Sequence, residues 1–202
     1  MRRIALVLAA LVAFAAPAGA AIGAERFQRH VVRGYAVSLA VPASWVAVDS
    51  RVPPAVIARF SRDNPKLAPF LQQLSLGSSP MKFLALDPVV RSDFATNVNV
   101  VVAPLPSGLT FAGYQRGLAA EVRAIGARGL QQRAVTIRGA RALRLQYRFA
   151  ITAGTRSTVQ TLQYGFMRPG RSVVVTYTTL PSLAGRYAAT FQRSAASIRF
   201  SG

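Results

Sequence analysis

Between residues 34 and 48 apolar side chains fall at every second position, Tyr35, Val37, Leu39 and Val41, and resume as Trp45, Val46 and Val48 after Pro42-Ala43-Ser44. Alternation of period two about a proline-containing turn predicts a β-hairpin with Trp45 in the core. From Pro53 to Leu74 the period changes. Val56, Ile57 and Phe60 form one stripe, and Leu67, Phe70, Leu71 and Leu74 form a second behind Asn64-Pro65. A short helical pair follows from this, with Asn64 as the cap of its second member. Met81–Leu86 and Phe94–Val102 return to strand patterning around an Asp87-Pro88 turn, with Val98, Val100 and Val102 on one face and Asn97 and Asn99 on the other. Thr110 is placed to cap a helix whose stripe is Phe111, Tyr114, Leu118, Val122 and Ile125, and Gly126 to end it.

The remainder reads as a meander of strands with turns at Arg138-Gly139, Thr152-Ala153-Gly154 and Arg168-Pro169-Gly170, closed by a helix from Pro181 to Ser197 that presents Leu183, Tyr187, Phe191 and Ile198. Leu143, Leu145, Tyr147 and Phe149 are expected to share a core face with Leu162, Tyr164 and Phe166 and with Val173, Val175 and Tyr177. The alternate positions then gather Arg144, Gln146, Arg148, Thr161, Gln163, Thr176 and Thr178 on the opposite face, with Asn97 and Asn99 from the neighbouring strand. That polar, cationic face is a solvated side of the sheet, a side half covered by a helix, or a ligand-binding surface. No linker, repeat or low-complexity tract interrupts the pattern, so residues 21–202 are expected to form one α+β domain.

The first twenty residues stand apart. Met1-Arg2-Arg3, an apolar run from Ile4 to Ala16 and the end Pro17-Ala18-Gly19-Ala20 have the three parts of a secretory signal, with cleavage expected after Ala20. The run is too short to span a bilayer, which needs about 20 apolar residues. The chain of 202 residues has 51% hydrophobic residues and no Cys, so disulfides, thiolate metal sites, thiol nucleophiles and lipidation at a cysteine are all excluded.

Charge changes the picture most. The net charge is +19, or +17 once Arg2 and Arg3 are removed, and no acidic residue follows Glu121, although thirteen arginines do. Such one-sided charge attracts polyanions. For an exported protein the expected partner is an anionic envelope component, such as a lipid headgroup, a wall polymer or an acidic protein, and not nucleic acid; peripheral membrane contact is compatible with it.

Catalytic chemistry finds little footing. The single histidine, His30, stands among Phe27, Gln28, Arg29, Val31 and Val32 without a G-x-S-x-G to supply a nucleophile. Ser79-Pro80-Met81-Lys82 matches S-x-x-K, but Pro80 and the run after it predict a strand, in which the two side chains are not one helical turn apart. Asp87 and Asp93 with Asn97 and Asn99 are too few oxygens in the wrong spacing for a calcium loop. Gly126-Ala127-Arg128-Gly129 has the G-x-x-G shape of a nucleic-acid clamp and serves equally as a helix stop. Arg59, Arg62 and Lys66 flank the apolar stripes of the helical pair, as on a membrane-surface helix, though the narrow stripes favour packing over a sheet edge. No metal or cofactor is expected, and the chain is expected not to be an enzyme. The competing reading is a small hydrolase or transferase with Asp49, Asp63, Asp87 or Asp93 as general acid or base.

Gly34-Tyr35-Ala36-Val37-Ser38-Leu39-Ala40-Val41-Pro42-Ala43-Ser44-Trp45 resembles the opening of PsbP-like domains, particularly the LpqN-type envelope proteins of actinobacteria, and Phe94–Val102 resembles their central strand. The helix containing Tyr114, the meander and the final helix ending near Ser197-Ile198-Arg199-Phe200 follow in the same order. This resemblance implies an α/β/α sandwich around a largely antiparallel sheet and a binding or assembly role in place of catalysis. Lacking Cys, this chain cannot be lipidated as LpqN-type members are, so tethering to a membrane does not carry over.

Overall fold

A computed structural model describes residues 25–49, 54–63, 65, 80–92, 94–153 and 155–201. Among these residues ten strands and three α-helices run in the order β1 (Phe27–Val32), β2 (Val37–Pro42), β3 (Val46–Asp49), α1 (Pro54–Asp63), β4 (Met81–Leu86), β5 (Asn97–Pro104), α2 (Phe111–Ala124), β6 (Arg128–Ile137), β7 (Ala140–Ala153), β8 (Thr155–Arg168), β9 (Arg171–Thr179), α3 (Ala184–Ala196) and β10 (Arg199–Phe200). The predicted leader, Ser79, Asp93 and the second helix with Leu67, Phe70, Leu71 and Leu74 lie outside the described residues.

Seven antiparallel strands form the main sheet in the order β3-β4-β5-β9-β8-β7-β6. After β5 the chain crosses one face through α2 and reaches the far edge. The β6–β9 meander then folds back until β9 pairs with β5. Thr110 caps α2 by accepting the Gly113 N–H at 3.1 Å, and Gly126, at φ +79°, ends the turn beyond it.

Both faces of the sheet are covered, for different reasons. Val98, Val100, Val102, Tyr164, Phe166, Val173, Val175 and Tyr177 pack under α3, through Tyr187, Phe191 and Ala195, and under a small sheet of order β1-β2-β10. On the reverse face Leu143, Leu145, Tyr147 and Val174 meet Tyr114, Leu118 and Val122 of α2. The α+β single-domain expectation holds, with the layer over the first face shared between a helix and a three-stranded sheet.

Two sequence-based expectations are corrected. Residues 34–48 are not a hairpin: β2 pairs along its whole length with β1 and at Val37 and Ser38 with β10, Ser197 Oγ accepts the Ala40 N–H, and β3 instead pairs with β4 in the large sheet. The corner between them is held by the Trp45 N–H on the Pro42 carbonyl at 3.0 Å, and buries the indole edge-on against Tyr187. The second correction concerns the meander's faces. β7 and β8 pair with Ala153 opposite Thr155, which sets Arg144 opposite Tyr164 and Gln146 opposite Leu162. The faces expected from the sequence would have needed Arg144 opposite Gln163. Because side chains alternate with period two, that one-residue difference moves all of β7 to the other side.

Candidate functional site

Register therefore divides the nine residues of the expected polar face. Arg144, Gln146 and Arg148 lie on the α3 side of the sheet, while Thr161, Gln163, Thr176 and Thr178, with Asn97 and Asn99, lie on the α2 side. On that second side Thr161, Gln163 and Thr178 are buried, and Thr176, Asn97 and Asn99 half-buried. Gln163 Oε1 accepts from the Tyr147 hydroxyl at 2.8 Å, and Asn97 Nδ2 donates to the Ala95 carbonyl at 3.0 Å. These six residues do not share a surface with the arginines.

What does gather around Arg144, Gln146 and Arg148 comes from β6 and β8. The Arg138-Gly139 turn has both residues at positive φ, +47° and +80°, a two-residue type I′ hairpin loop that pairs Ile137 with Ala140. Counting back from it sets Arg133 opposite Arg144 and Gln131 opposite Gln146. A bulge between Arg128 and Gln131, containing Gly129 at φ +63°, then brings Arg128 opposite Arg148. The two glycines of the G-x-x-G thus have structural tasks, one ending α2 and one forming the bulge. This turn arithmetic was the sequence signal that would have found Arg133; Arg128 reaches Arg148 only through the bulge.

The sheet extends past the edge of α3, and there it opens into two adjoining clefts. The wider, about 1050 Å³, wraps the sheet edge: Arg128, Gln131, Gln146, Arg148 and Gln160 line it, together with Tyr147 and Phe149 from the α2 side and Ile125 and Gly126 just past the end of α2. The narrower, 480 Å³, runs between the strands and α3; Arg133, Arg144, Arg148, Leu162 and Tyr164 line it from the sheet, and Ala184, Ala188 and Phe191 from α3. Gln146, Arg148 and Gln160 belong to both, so the two form one trough. Arg144 Nη2 donates to Gln146 Oε1 and Arg148 Nε to Gln160 Oε1, each at 2.8 Å, which orients the guanidiniums through neutral acceptors. Among the described residues neither lining contains a carboxylate.

Several other arginines after Glu121 are occupied elsewhere. Arg138 Nε donates to the Ala196 carbonyl at the end of α3, Arg141 lies 4.1 Å over the Phe111 ring, Arg168 covers Phe200, and Arg193 covers Phe27 and donates to the Glu25 carbonyl.

Asp49 and Asp87, the candidate aspartates with described side chains, do not converge. Asp49 ends β3 opposite Phe83, whereas Asp87 follows Leu86 at the other end of that strand pair, on the order of 13 Å away along the strands. Asp87 Oδ1 accepts the Val89 N–H at 2.9 Å in the turn before Pro88, and Oδ2 accepts the Tyr187 hydroxyl. The side chain of Asp63 is outside the described set. His30 is half-buried beside Phe83, with ring centroids 5.4 Å apart; burial holds its pKa below the ordinary value against the opposing pull of Asp49. Lys82 is in extended β4, and among the described residues no three His, Asp or Glu side chains are grouped to hold a metal. No described helix is long and apolar enough to cross a membrane.

No family model and no curated protein matches the sequence. Among solved structures the fold is similar to cyanobacterial PsbP from Synechocystis, with TM-score 0.53 and 16% identity over 92% of this chain and all of that one. It is equally similar, at TM-score 0.53, to LpqN of Mycobacterium tuberculosis, described as involved in cell envelope biogenesis (13% identity, 87% of this chain and 92% of that one). A Pseudomonas aeruginosa protein of unknown function matches at the same score, with 11% identity over 87% and 98% of the two chains. The turn at Gly34, the corner at Trp45, the helix across the sheet and the returning meander thus make up a PsbP-like fold in this chain.

Proposed function

We propose that this is an exported, non-enzymatic binding or accessory protein of the bacterial envelope, which engages an anionic component of that envelope through the arginine trough beside α3. The observation that carries this reading is the pairing of Arg133 opposite Arg144 and of Arg128 opposite Arg148 on one face of one hairpin, with no carboxylate among the described lining residues. Like charges directly opposite on a sheet are destabilising, by roughly 0.2–1 kcal/mol for each pair. An anion seated between them removes the repulsion and accepts charge-assisted, bidentate hydrogen bonds. Export is supported by the tripartite segment ending at Ala20, and an envelope role by the likeness in fold to LpqN. The separation of Asp49 from Asp87 counts against the competing acid–base enzyme, which needs paired carboxylates in a shared pocket.

The test compares wild type with Arg144→Ala/Arg148→Ala for binding to anionic vesicles and to a phosphate-rich wall polymer over a range of salt concentrations. The double variant should bind more weakly and with a shallower salt dependence, and at low ionic strength it should be no less stable than wild type, because repulsion has been removed. Equal affinity and equal salt dependence would show that the attraction is diffuse charge and not this trough. Intact-mass measurement on protein recovered from culture supernatant checks the cleavage after Ala20.

A further inference from the structure

The trough's outer wall is β6, and β6 is also the end of the large sheet. Its inward and outward hydrogen-bonding groups can be assigned from the hairpin. Ile137 and Ala140 close a two-residue turn and so exchange both of their hydrogen bonds; Val135, Arg133 and Gln131 then bond to β7 in the same way. The N–H and C=O groups of Gln132, Ala134 and Thr136 are left pointing away from the sheet. All three residues are exposed, and no backbone hydrogen bond from elsewhere among the described residues reaches them. The other edge of the large sheet, β3, has only four residues.

We propose that β6 is a docking edge for an extended acidic segment of a partner protein, which adds to the large sheet as an eighth strand. This rests on the trough as the anion-binding surface, and names the kind of anion and how it is held. Positions 131–137 suit strand addition: they contain no Pro and no Gly, and Arg133 is the only charged residue among them. Relative to an incoming strand Arg133 occupies a non-hydrogen-bonded position, where facing Cα atoms approach to about 4.5 Å and side chains are closest. An acidic residue there lies against Arg133 on the trough side. Another two positions along, roughly 7 Å away, is directed toward Arg128. The intervening side chains fall on the opposite face beside Gln132 and Ala134, where small or β-branched residues fit. The bulge at Arg128–Gln131 ends the regular edge, which limits the added strand to about six or seven residues. Charge selects the occupant: a second copy of this chain would bring two strongly cationic molecules together edge to edge, each with Arg133 in the seam, whereas an acidic segment neutralises the opposed arginine pairs.

The experiment uses a fluorescent peptide of about eight residues alternating Glu with Thr or Val, and the same peptide with its alternate amides N-methylated to block the backbone donors. Wild-type protein should bind the first at least about tenfold more tightly than the second. Ala134→Pro removes one outward N–H without removing a bond to β7, and should weaken peptide binding by a similar factor while leaving binding to anionic vesicles unchanged. Because a proline variant can fail to fold, amide exchange on wild type is measured as well, and the N–H groups of Gln132, Ala134 and Thr136 should become protected when the peptide binds. Equal binding of the methylated and unmethylated peptides overturns strand addition. So does a concentration-dependent dimer abolished by Ala134→Pro, which would make a second copy the occupant. If the peptide does not bind but vesicles or wall polymer bind in a manner dependent on Arg144 and Arg148, strand addition fails and the trough reading stands. If no anion tested binds in that manner, both fail.

Discussion

Gly165→Ala tests how tightly α2 is seated. Gly165 lies in β8 between Leu143 and Val174, beneath α2. A Cβ there would stand 2.5 Å from Leu118 Cδ2, 2.7 Å from Tyr114 Oη and 3.3 Å from Tyr114 Cζ. Ordinary contact begins near 3.4 Å, so the helix must rise by up to about an ångström or its side chains must leave their rotamers. Neither residue has room to move, since Leu118 is 7% and Tyr114 5% exposed. Tyr114 is also tied to the buried Ser172 hydroxyl, oxygen to oxygen, at 2.7 Å. Overpacking of this kind costs about 1–3 kcal/mol, and leaving a buried hydroxyl unpaired about 1–3 kcal/mol more. Relief of glycine's extra chain entropy offsets at most about 1 kcal/mol. The expected net loss is about 2–4 kcal/mol, or a Tm lowered by roughly 5–15 °C for a chain of this size. Urea titration followed by Trp45 fluorescence measures it. Gly117→Ala, on the exposed side of α2 with nothing within 4 Å, is the control and should be neutral or stabilising by up to about 1 kcal/mol. In a double-mutant cycle Tyr114→Phe, which removes the Oη clash, should recover at least about 0.5 kcal/mol of the cost. A Gly165→Ala protein within about 0.5 kcal/mol of wild type, or strict additivity with Tyr114→Phe, would refute the packing argument.

Trp45→Ala should cost about 3–5 kcal/mol, because the indole fills the corner between the two sheets; its emission in the folded protein should be that of a buried ring, and a water-like spectrum would contradict this placement. Alkaline pH should destabilise the fold in a defined window. Burial pushes the Tyr114 and Tyr147 hydroxyls up to about 12 and Tyr177 further still. The folded state thus holds these protons more tightly than the unfolded state, so the stabilisation is complete below about pH 10 and is lost as pH rises toward 12. A tyrosinate absorbance titration run beside circular dichroism should show these phenols ionising only with loss of fold; all six tyrosines titrating near pH 10 in the intact protein would contradict it.

The elements whose determinants are local were legible in the sequence. Thr110, the Phe111–Ile125 stripe and Gly126 mark α2 to within a residue of its ends, because capping and a 3.6-residue period are decided within a few turns of chain. The Val98-Val100-Val102 alternation marks the central strand, and cationic excess without cysteine narrows the chemistry before any fold is known. Partnership between segments was not legible. Whether β3 pairs with β2 depends on β1, β10 and Ser197 having taken hydrogen-bonding groups of β2, and β10 lies some 160 residues further along the chain. The site turned on something smaller. Local patterning shows that Arg144, Gln146 and Arg148 share a side of β7, but not which side of the sheet that is, since β8 and β9 carry apolar groups on both faces, as strands covered on both sides do. Only the registers of β7 with β8 and with β6 placed those arginines beside α3, opposite Arg128 and Arg133 and away from Thr161 and Gln163. The chain's charge is a property of its composition, but its concentration into opposed pairs in one trough is a property of strand register, which long-range packing alone selects.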